Sequence, residues 1–316
     1  MARLPEFFLV GAPKAGSTAL WRFLDAHPEV WMSPIKEPNY FAREVREENF
    51  EAGLRRRVEL ERRELRAYFD APVLAKRAGG IISAWEDYVR LFAEAGDKKA
   101  AGEASVCYLW SATAAELIAE TIPQAKILVL LRDPAERAFS EYLQGVSNGS
   151  VRWSFREQIE RNLCDKSGKL SVHFPFLELG LYSGQVERYI ERFGKNVWIG
   201  FYDDFRERPA EVFAEICRFV GVRDDVRADL TRRYNEAEPP RFAGVAWAKR
   251  SGVWERAARL APKRVRPVVR KALTKRPGTV RMEARDRAML VDFYREDIEK
   301  LEGMVGRSLE GWLRVE

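Results

Sequence analysis

Histidine and cysteine are scarce in this chain, with two and three residues among 316. Two histidines leave little material for a His-rich metal site or a His-centred triad. Cys107, Cys164 and Cys217 are odd in number, widely separated and without metal-ligand spacing, which reads as three free thiols in a reducing cytoplasm. No stretch approaches the ~18–20 uninterrupted apolar residues of a membrane span. Phe7–Gly11 is too short for a signal-peptide core and leads into no cleavage motif, so the expected location is cytoplasmic. Internal repeats and low-complexity linkers are also missing, which predicts one domain over residues 1–316. What is present is a composition 46% hydrophobic and 12% aromatic, enough to bury a substantial core and to exclude a disordered tail or a disulfide-stapled miniprotein.

The charge is unevenly placed. Lys+Arg number 54 against 48 Asp+Glu, a formal charge of +6. Residues 241–276 hold twelve Lys/Arg against one acid, Glu255, so that segment carries +11 and the other 280 residues sum to −5. Trp247, Trp254, Leu260, Val265 and Leu273 recur through it at roughly helical spacing, interrupted by Pro262 and Pro267, which predicts two short amphipathic helices. A basic helical cover or lid over an anionic ligand, a surface for an acidic glycan or a lipid headgroup, and a nucleic-acid contact all fit such a segment, as does a solvated helical face.

Elsewhere, short apolar runs alternate with helical patterns, the signature of an α/β domain. Strands are predicted at Phe7–Val10, Ile127–Leu131 and near Val197–Tyr202, the second as a central, doubly covered parallel strand. Ser17–Ala26 has Ala19, Leu20, Phe23 and Leu24 on one face of a helix that stops before Pro28. Ser83 with Glu86 reads as a capping box opening a helix through Phe92. Asp133 is placed to cap a helix with Pro134 at its first position, and further helices are predicted at Ala112–Thr121, around Val186–Phe193, from Pro209 to Gly221 and at about Glu283–Leu301.

The most informative run is Phe7–Ala19, FFLVGAPKAGSTA. A strand entering a Gly-containing turn and then a helix points several backbone N–H groups and the positive helix end at one place, an arrangement suited to a phosphate. It is nearly a Walker A loop, yet Ser17 stands where that motif needs lysine, and the only lysine, Lys14, lies inside the loop. Leu131 is followed by Arg132, with Asp133 committed to a cap, so a Walker B acid is missing and no metal is expected. A P-loop nucleotide kinase is one alternative. A non-enzymatic polyanion-binding module resting on 241–276 is another.

With Pro13-Lys14-Ala15-Gly16-Ser17-Thr18-Ala19 and, about 115 residues on, KILVLLRDPAERAFSEY (Lys126–Tyr142), the chain resembles the PAPS-dependent sulfotransferases. PAPS is 3′-phosphoadenosine 5′-phosphosulfate, and PAP is what remains after sulfuryl transfer. Glu103–Tyr108 and Gly180–Phe219 look like further family segments, and the resemblance is densest at residues 5–42 and 126–142 and weakest across 225–280. It implies a three-layer, P-loop-like α/β fold with a central parallel sheet flanked by helices, and PAPS as donor to an acceptor hydroxyl on a glycan, glycolipid or small-molecule alcohol. It places Lys14 at the leaving oxygen and the backbone N–H groups of Ala15, Gly16, Ser17, Thr18 and Ala19 on the 5′-phosphate. Arg132 and Ser140 would grip the 3′-phosphate, which fits a planar guanidinium at the carboxyl end of a parallel strand. Alternatively, Arg137 pairs with Asp133 at i,i+4 and Ser140 is a solvated helix residue. Lys275-Arg276-Pro277-Gly278 falls where related enzymes wrap the nucleotide with a Ser-Lys-Gly-Arg-like loop, so Lys275 and Arg276 are implied contacts, although the glycine is displaced and a proline intrudes. The expected partner is this nucleotide and an acceptor, with no nucleic acid, and 241–276 as a peripheral contact to an anionic surface.

For the base, one subgroup of the family uses a histidine, but none stands between His27 and His173. The glycan-type subgroup uses a glutamate in a Lys-Glu-x-x-(aromatic)-Phe segment, matched by Lys36-Glu37-Pro38-Asn39-Tyr40-Phe41, which makes Glu37 the catalytic base. A carboxylate at its reference pKa of ~4.3 is a weak base. The alternative for Glu37 is a loop carboxylate paired with Lys36. His27, in an Ala-His-Pro turn, is structural on this reading and His173 has no assigned role. Trp31, Tyr40, Phe41, Trp110 and Trp153 are candidates for an acceptor cleft, with plain core packing the alternative for each.

Overall fold

Phe7, Phe8, Leu9 and Val10 are fully buried, because the strand they form has a neighbour on each side and helices over both faces. The computed structural model describes residues 3–171, 174–226 and 280–315. His173, Lys275, Arg276 and the whole basic segment 241–276 lie outside the described residues.

Seven strands form among these: β1 (Phe7–Gly11), β2 (Val30–Met32), β3 (Ile35–Lys36), β4 (Arg77–Ala78), β5 (Ala100–Ala104), β6 (Lys126–Leu131) and β7 (Val197–Phe201). Five make one parallel sheet in the order β2-β5-β1-β6-β7, and β3 pairs with β4 in a small second sheet. The order reverses direction at β1, so the crevice at its carboxyl end is a topological switch point, where open α/β sheets bind ligands.

On one face lie α1 (Ser17–Asp25) and α10 (Pro209–Val220), joined by an edge-to-face contact of Phe23 with Phe213 at 6.1 Å. Between them along the chain run α2 (Ala52–Phe69), α3 (Trp85–Arg90), α4 (Cys107–Trp110), α5 (Ala114–Thr121), α6 (Pro134–Asn148), α7 (Phe155–Cys164), α8 (Tyr182–Phe193) and α9 (Tyr202–Glu207), with α11 (Ala284–Val305) last. Helices α4, α5, α8 and α11 cover the other face, completing the three layers expected. Asp297 of α11 accepts from the Tyr182 and Ser183 N–H groups and the Ser183 hydroxyl, so one helix caps the start of another 114 residues earlier.

Asp133 caps α6 as predicted, accepting from the Ala135 and Glu136 N–H groups at 2.9 and 3.1 Å. The capping box at Ser83 does not form. The backbone stays extended through Ala84, which is the N-cap residue, so Ser83 falls one position too early and no side chain caps α3.

Gly102 shows how closely the sheet is packed. It pairs with Phe7, and a Cβ there would sit 2.1 Å from the Phe7 ring. Gly102→Ala will therefore lower the unfolding free energy by about 1–3 kcal/mol, the usual penalty for overpacking a core; a denaturant midpoint equal to wild type would contradict that packing.

Candidate active site

The site grows from the way β1 ends. Its register with β6 slips between Leu9 and Gly11, and the chain turns away through Ala12–Gly16 into α1. Gly16, in the left-handed region at φ 94°, is the N-cap and offers no side chain, so no side-chain cap covers the first N–H groups of α1. The positive end of that helix is thus presented to the crevice. Ser17 is buried, while Thr18 and Ala19 are partly buried.

Lys14 lies within this turn at φ 64°, a left-handed conformation that non-glycine residues adopt only when their surroundings impose it. Its ammonium donates to the Gln144 side-chain carbonyl on α6. Burial pulls its pKa down from 10.5 to about 8; Glu141 opposes the shift, while Arg132, Lys36 and Arg137 reinforce it. Arg132 follows β6 and donates from Nη1 to the Lys14 carbonyl (3.0 Å), tying the two predicted phosphate contacts together. Its guanidinium lies 4.7 Å from the centre of the Tyr202 ring and reaches Glu136 only at 3.5 Å. Beside it opens a cleft of about 330 Å³, bordered also by Arg206, Arg307 and Trp312.

Glu37 sits at the end of the neighbouring strand. Its N–H donates to the Ala104 carbonyl of β5 (2.8 Å), and its own φ is 67°. One carboxylate oxygen receives the buried Lys36 ammonium and the other the Val106 N–H at 2.9 Å. The pairing with Lys36 foreseen as the structural alternative is therefore real. The Lys36 charge also helps to lower the Lys14 pKa. Asn39, at φ 57°, is the third non-glycine residue in the left-handed region among the described residues.

Ser140 is partly exposed on α6, two turns after Arg132 and one turn before Gln144. Arg137 does not pair with Asp133. It is fully buried, bonded to Glu141 and the Phe176 carbonyl, and Asp133 instead receives Arg287 of α11 at 2.7 Å. His27 is buried and bridges the Arg223 carbonyl and the Glu29 N–H, a structural role as predicted. Of the five aromatic candidates, Phe41 is core. Trp31 bonds the Leu91 carbonyl and Trp153 bonds Gln158, while Trp110 packs against a separate cluster with Phe50 and Leu170. Tyr40 is partly buried and stacks on Tyr88. Sequence reasoning missed Gln144, although its i,i+4 spacing from Ser140 puts both on one face of α6. Cys107, Cys164 and Cys217 are free thiols.

The carboxyl ends of β1, β5 and β6 thus carry two ammonium groups, a guanidinium, an uncapped helix start and the Glu37 carboxylate. This arrangement can hold a phosphate-bearing anion and accept a proton beside it.

Comparison with known proteins identifies the family. The family model described as "Sulfotransferase family" matches residues 5–225. Carbohydrate sulfotransferase 15 of Rattus norvegicus is 28% identical over 232 residues, covering 62% of this chain and 40% of that protein. The bifunctional heparan sulfate N-deacetylase/N-sulfotransferase 2 of Bos taurus is 25% identical over 321 residues, covering 99% of this chain and 31% of that protein. The chain thus spans well under half the length of these relatives. Among solved structures, a sulfotransferase from Alicyclobacillus acidocaldarius superposes with a TM-score of 0.70 at 26% identity, covering 99% and 100% of the two chains. No described helix is long and apolar enough to cross a membrane.

The lowered Lys14 pKa has a consequence for stability. A lysine at about 8 when folded and 10.5 when unfolded binds its proton less tightly in the folded state, so its share of stability rises with pH across that window. Lys14→Met will raise Tm at pH 7, with the advantage fading as pH approaches 10. An equal or lower Tm at pH 7 would show that the ammonium is not desolvated.

Proposed function

The chain belongs to the sulfotransferase family, and from that premise we propose that it transfers the sulfuryl group of PAPS to an acceptor hydroxyl on a glycan, a glycolipid or a small-molecule alcohol. One observation carries the proposal: Lys14, Glu37 and Arg132 stand just beyond the carboxyl ends of three adjacent parallel strands, β1, β5 and β6. Family membership replaces the kinase and polyanion-module alternatives.

The residues suit the donor. Lys14 is a partly desolvated cation whose hydrogen-bond partner is a neutral amide, so an incoming phosphate supplies the counter-charge it lacks. When bound, PAPS supplies an activated sulfuryl group and leaves negative charge on the oxygen it departs from. Lys14 offers its ammonium to that developing charge, the kind of preorganised electrostatic stabilisation that dominates phosphoryl transfer as well. The 5′-phosphate falls to the N–H groups of Gly16, Ser17 and Thr18 at the start of α1, since those of Ala15 and Ala19 already donate to the Ala12 and Gly16 carbonyls at 3.3 and 3.0 Å. Arg132, with Ser140 on the following helix, receives the 3′-phosphate. Lys36 and the Val106 N–H each hold one Glu37 oxygen, fixing the carboxylate's orientation while each oxygen keeps capacity to accept the acceptor's proton. The proton then rests on Glu37 as the acceptor oxygen bonds to sulfur.

The curated relatives are named for carbohydrate and heparan sulfate sulfation, which puts glycans first among acceptors to try. Labelled PAPS offered with desulfated heparin, chitooligosaccharides, glycolipids and simple alcohols will identify the class. Lys14→Ala and Glu37→Ala will each abolish transfer, and Glu37→Ala will leave PAP affinity intact. PAP at a hundred times its Kd adds about 2.7 kcal/mol of stability, undiminished by EDTA. ADP, lacking the 3′-phosphate, will add much less at the same concentration, and equal protection by ADP and PAP would refute the assignment to Arg132 and Ser140.

A further inference from the structure

Behind the base turn lies a carboxyl that the mechanism does not use. Glu103 is completely buried in β5, next to Ala104, whose carbonyl receives the Glu37 N–H. A buried carboxyl is tolerated only when its oxygens are hydrogen-bonded. Here Ser105 Oγ donates to Oε1 at 2.6 Å and the Tyr88 hydroxyl donates to Oε2, while the Tyr108 hydroxyl lies near enough to favour the charged form. Two of these hydroxyls reach on to the base turn. Ser105 Oγ accepts the Asn39 N–H at 3.1 Å, and the Tyr108 oxygen accepts the Phe41 N–H at 3.2 Å. With the Ser105 proton held on Glu103, a lone pair of its oxygen is left to face the Asn39 N–H.

We propose that Glu103 is a positioning residue for sulfuryl transfer: its carboxylate orients the Ser105 hydroxyl, which holds the Asn39 N–H and so, with Tyr108 on the Phe41 N–H, the left-handed turn that aims Glu37. The proposal rests on the reading of Glu37 as the base. The turn needs such a clamp because Glu37 and Asn39 both occupy the left-handed region, which costs non-glycine residues of the order of 1–3 kcal/mol each. Cys107 adds a further tie, its thiol donating to Asn39 Oδ1 at 2.9 Å.

The clamp is sensitive to protons. The groups facing Glu103 are the hydroxyls of Ser105, Tyr88 from α3 and Tyr108 from α4, with Tyr189 from α8, the Cys107 thiol and the like-charged Glu37 also near it. Burial raises its pKa to about 7; the three hydroxyls oppose the rise, and Glu37 adds to it. Above pH 7 the carboxylate accepts every donor. Below it, the bound proton makes Glu103 a donor as well, and one hydroxyl must turn.

The test compares Glu103→Gln, Ser105→Ala and Tyr88→Phe in the full chain, with PAP release from PAPS to desulfated heparin and amide hydrogen exchange of residues 36–42 as readouts. Glu103→Gln and Ser105→Ala will lower kcat at least tenfold, leave the KM for PAPS within about twofold, and speed exchange across the turn. Glu103→Gln will also erase the acid limb of kcat near pH 7. Tyr88→Phe, which removes a donor that meets no turn amide, will keep plateau kcat and slow exchange. If Glu103→Gln does not fold, Ser105→Ala decides alone. Loss of kcat in step with Tm in all three variants would mean a merely structural carboxyl and overturn the proposal. Glu37→Gln is run beside them. If it stays active, the base reading and the positioning role both fall; if it is inactive while Glu103→Gln and Ser105→Ala behave as wild type, the positioning role alone falls.

Discussion

The parallel pairing of β1 with β5 on one side and β6 on the other is the constraint from which the site descends. Parallel strands end on the same side of a sheet, so whatever follows each of them meets at one crevice. Lys14 follows β1 and Arg132 follows β6, while Glu37 is anchored by its N–H to the last residue of β5. None of these three residues lies within the sheet, yet each is held by it. A one-residue slip of β1 would turn its buried row over and carry Lys14 away with it. The close contact of Phe7 with Gly102 blocks that slip sterically, because bulk at either position must match a gap at the other.

The crevice is assembled against local preference. Its two turns contain the three non-glycine residues with left-handed backbone among the described residues, its lysine is partly stripped of water, and a carboxyl is buried immediately behind it. Each feature lowers stability on its own. They persist because the surroundings over-determine them. The Lys14 carbonyl is bonded by Arg132, Glu37 by Val106 and Ala104, and Asn39 by Ser105. Clustered strain and desolvation at one end of an otherwise regular sheet mark where function and stability compete.

Much of this was legible in the sequence, and the reasons are local. β1 and β6 are unbroken apolar runs, which buried parallel strands require. Asp133-Pro134 carries cap and first-turn signals in adjacent residues, and Asp133 caps α6. Ser83 carried only a spacing, and the backbone placed the helix start one residue later. At the site, Lys14, Glu37 and Arg132 could be proposed because each stands in a short contiguous motif. Gln144, Tyr202 and Glu103 could not, because Gln144 and Tyr202 meet the site across large sequence separations and Glu103 reaches the base turn only through Ser105, 66 residues from Asn39. The aromatic candidates show the same limit: nothing local to Phe41 distinguishes a core ring from a cleft ring, and tertiary packing put it in the core.

The pattern of ion pairs explains how a mostly acidic body presents a cationic crevice. Arginines and carboxylates are interleaved around the start of α6, and the fold sorts them. Arg137 is committed to Glu141, and Arg287 to Asp133. Lys36 is committed to Glu37, and Glu141, the carboxylate that acts on Lys14, is held by Arg137. What remains is Lys14 on a neutral amide and Arg132 with Glu136 at the limit of hydrogen-bonding distance. An incoming anion therefore competes with one weak, partly exposed ion pair and displaces no buried one. The positive potential depends less on how many cations the region contains than on which carboxylates are already engaged, and in a low-dielectric crevice that difference decides whether a phosphate is bound or repelled.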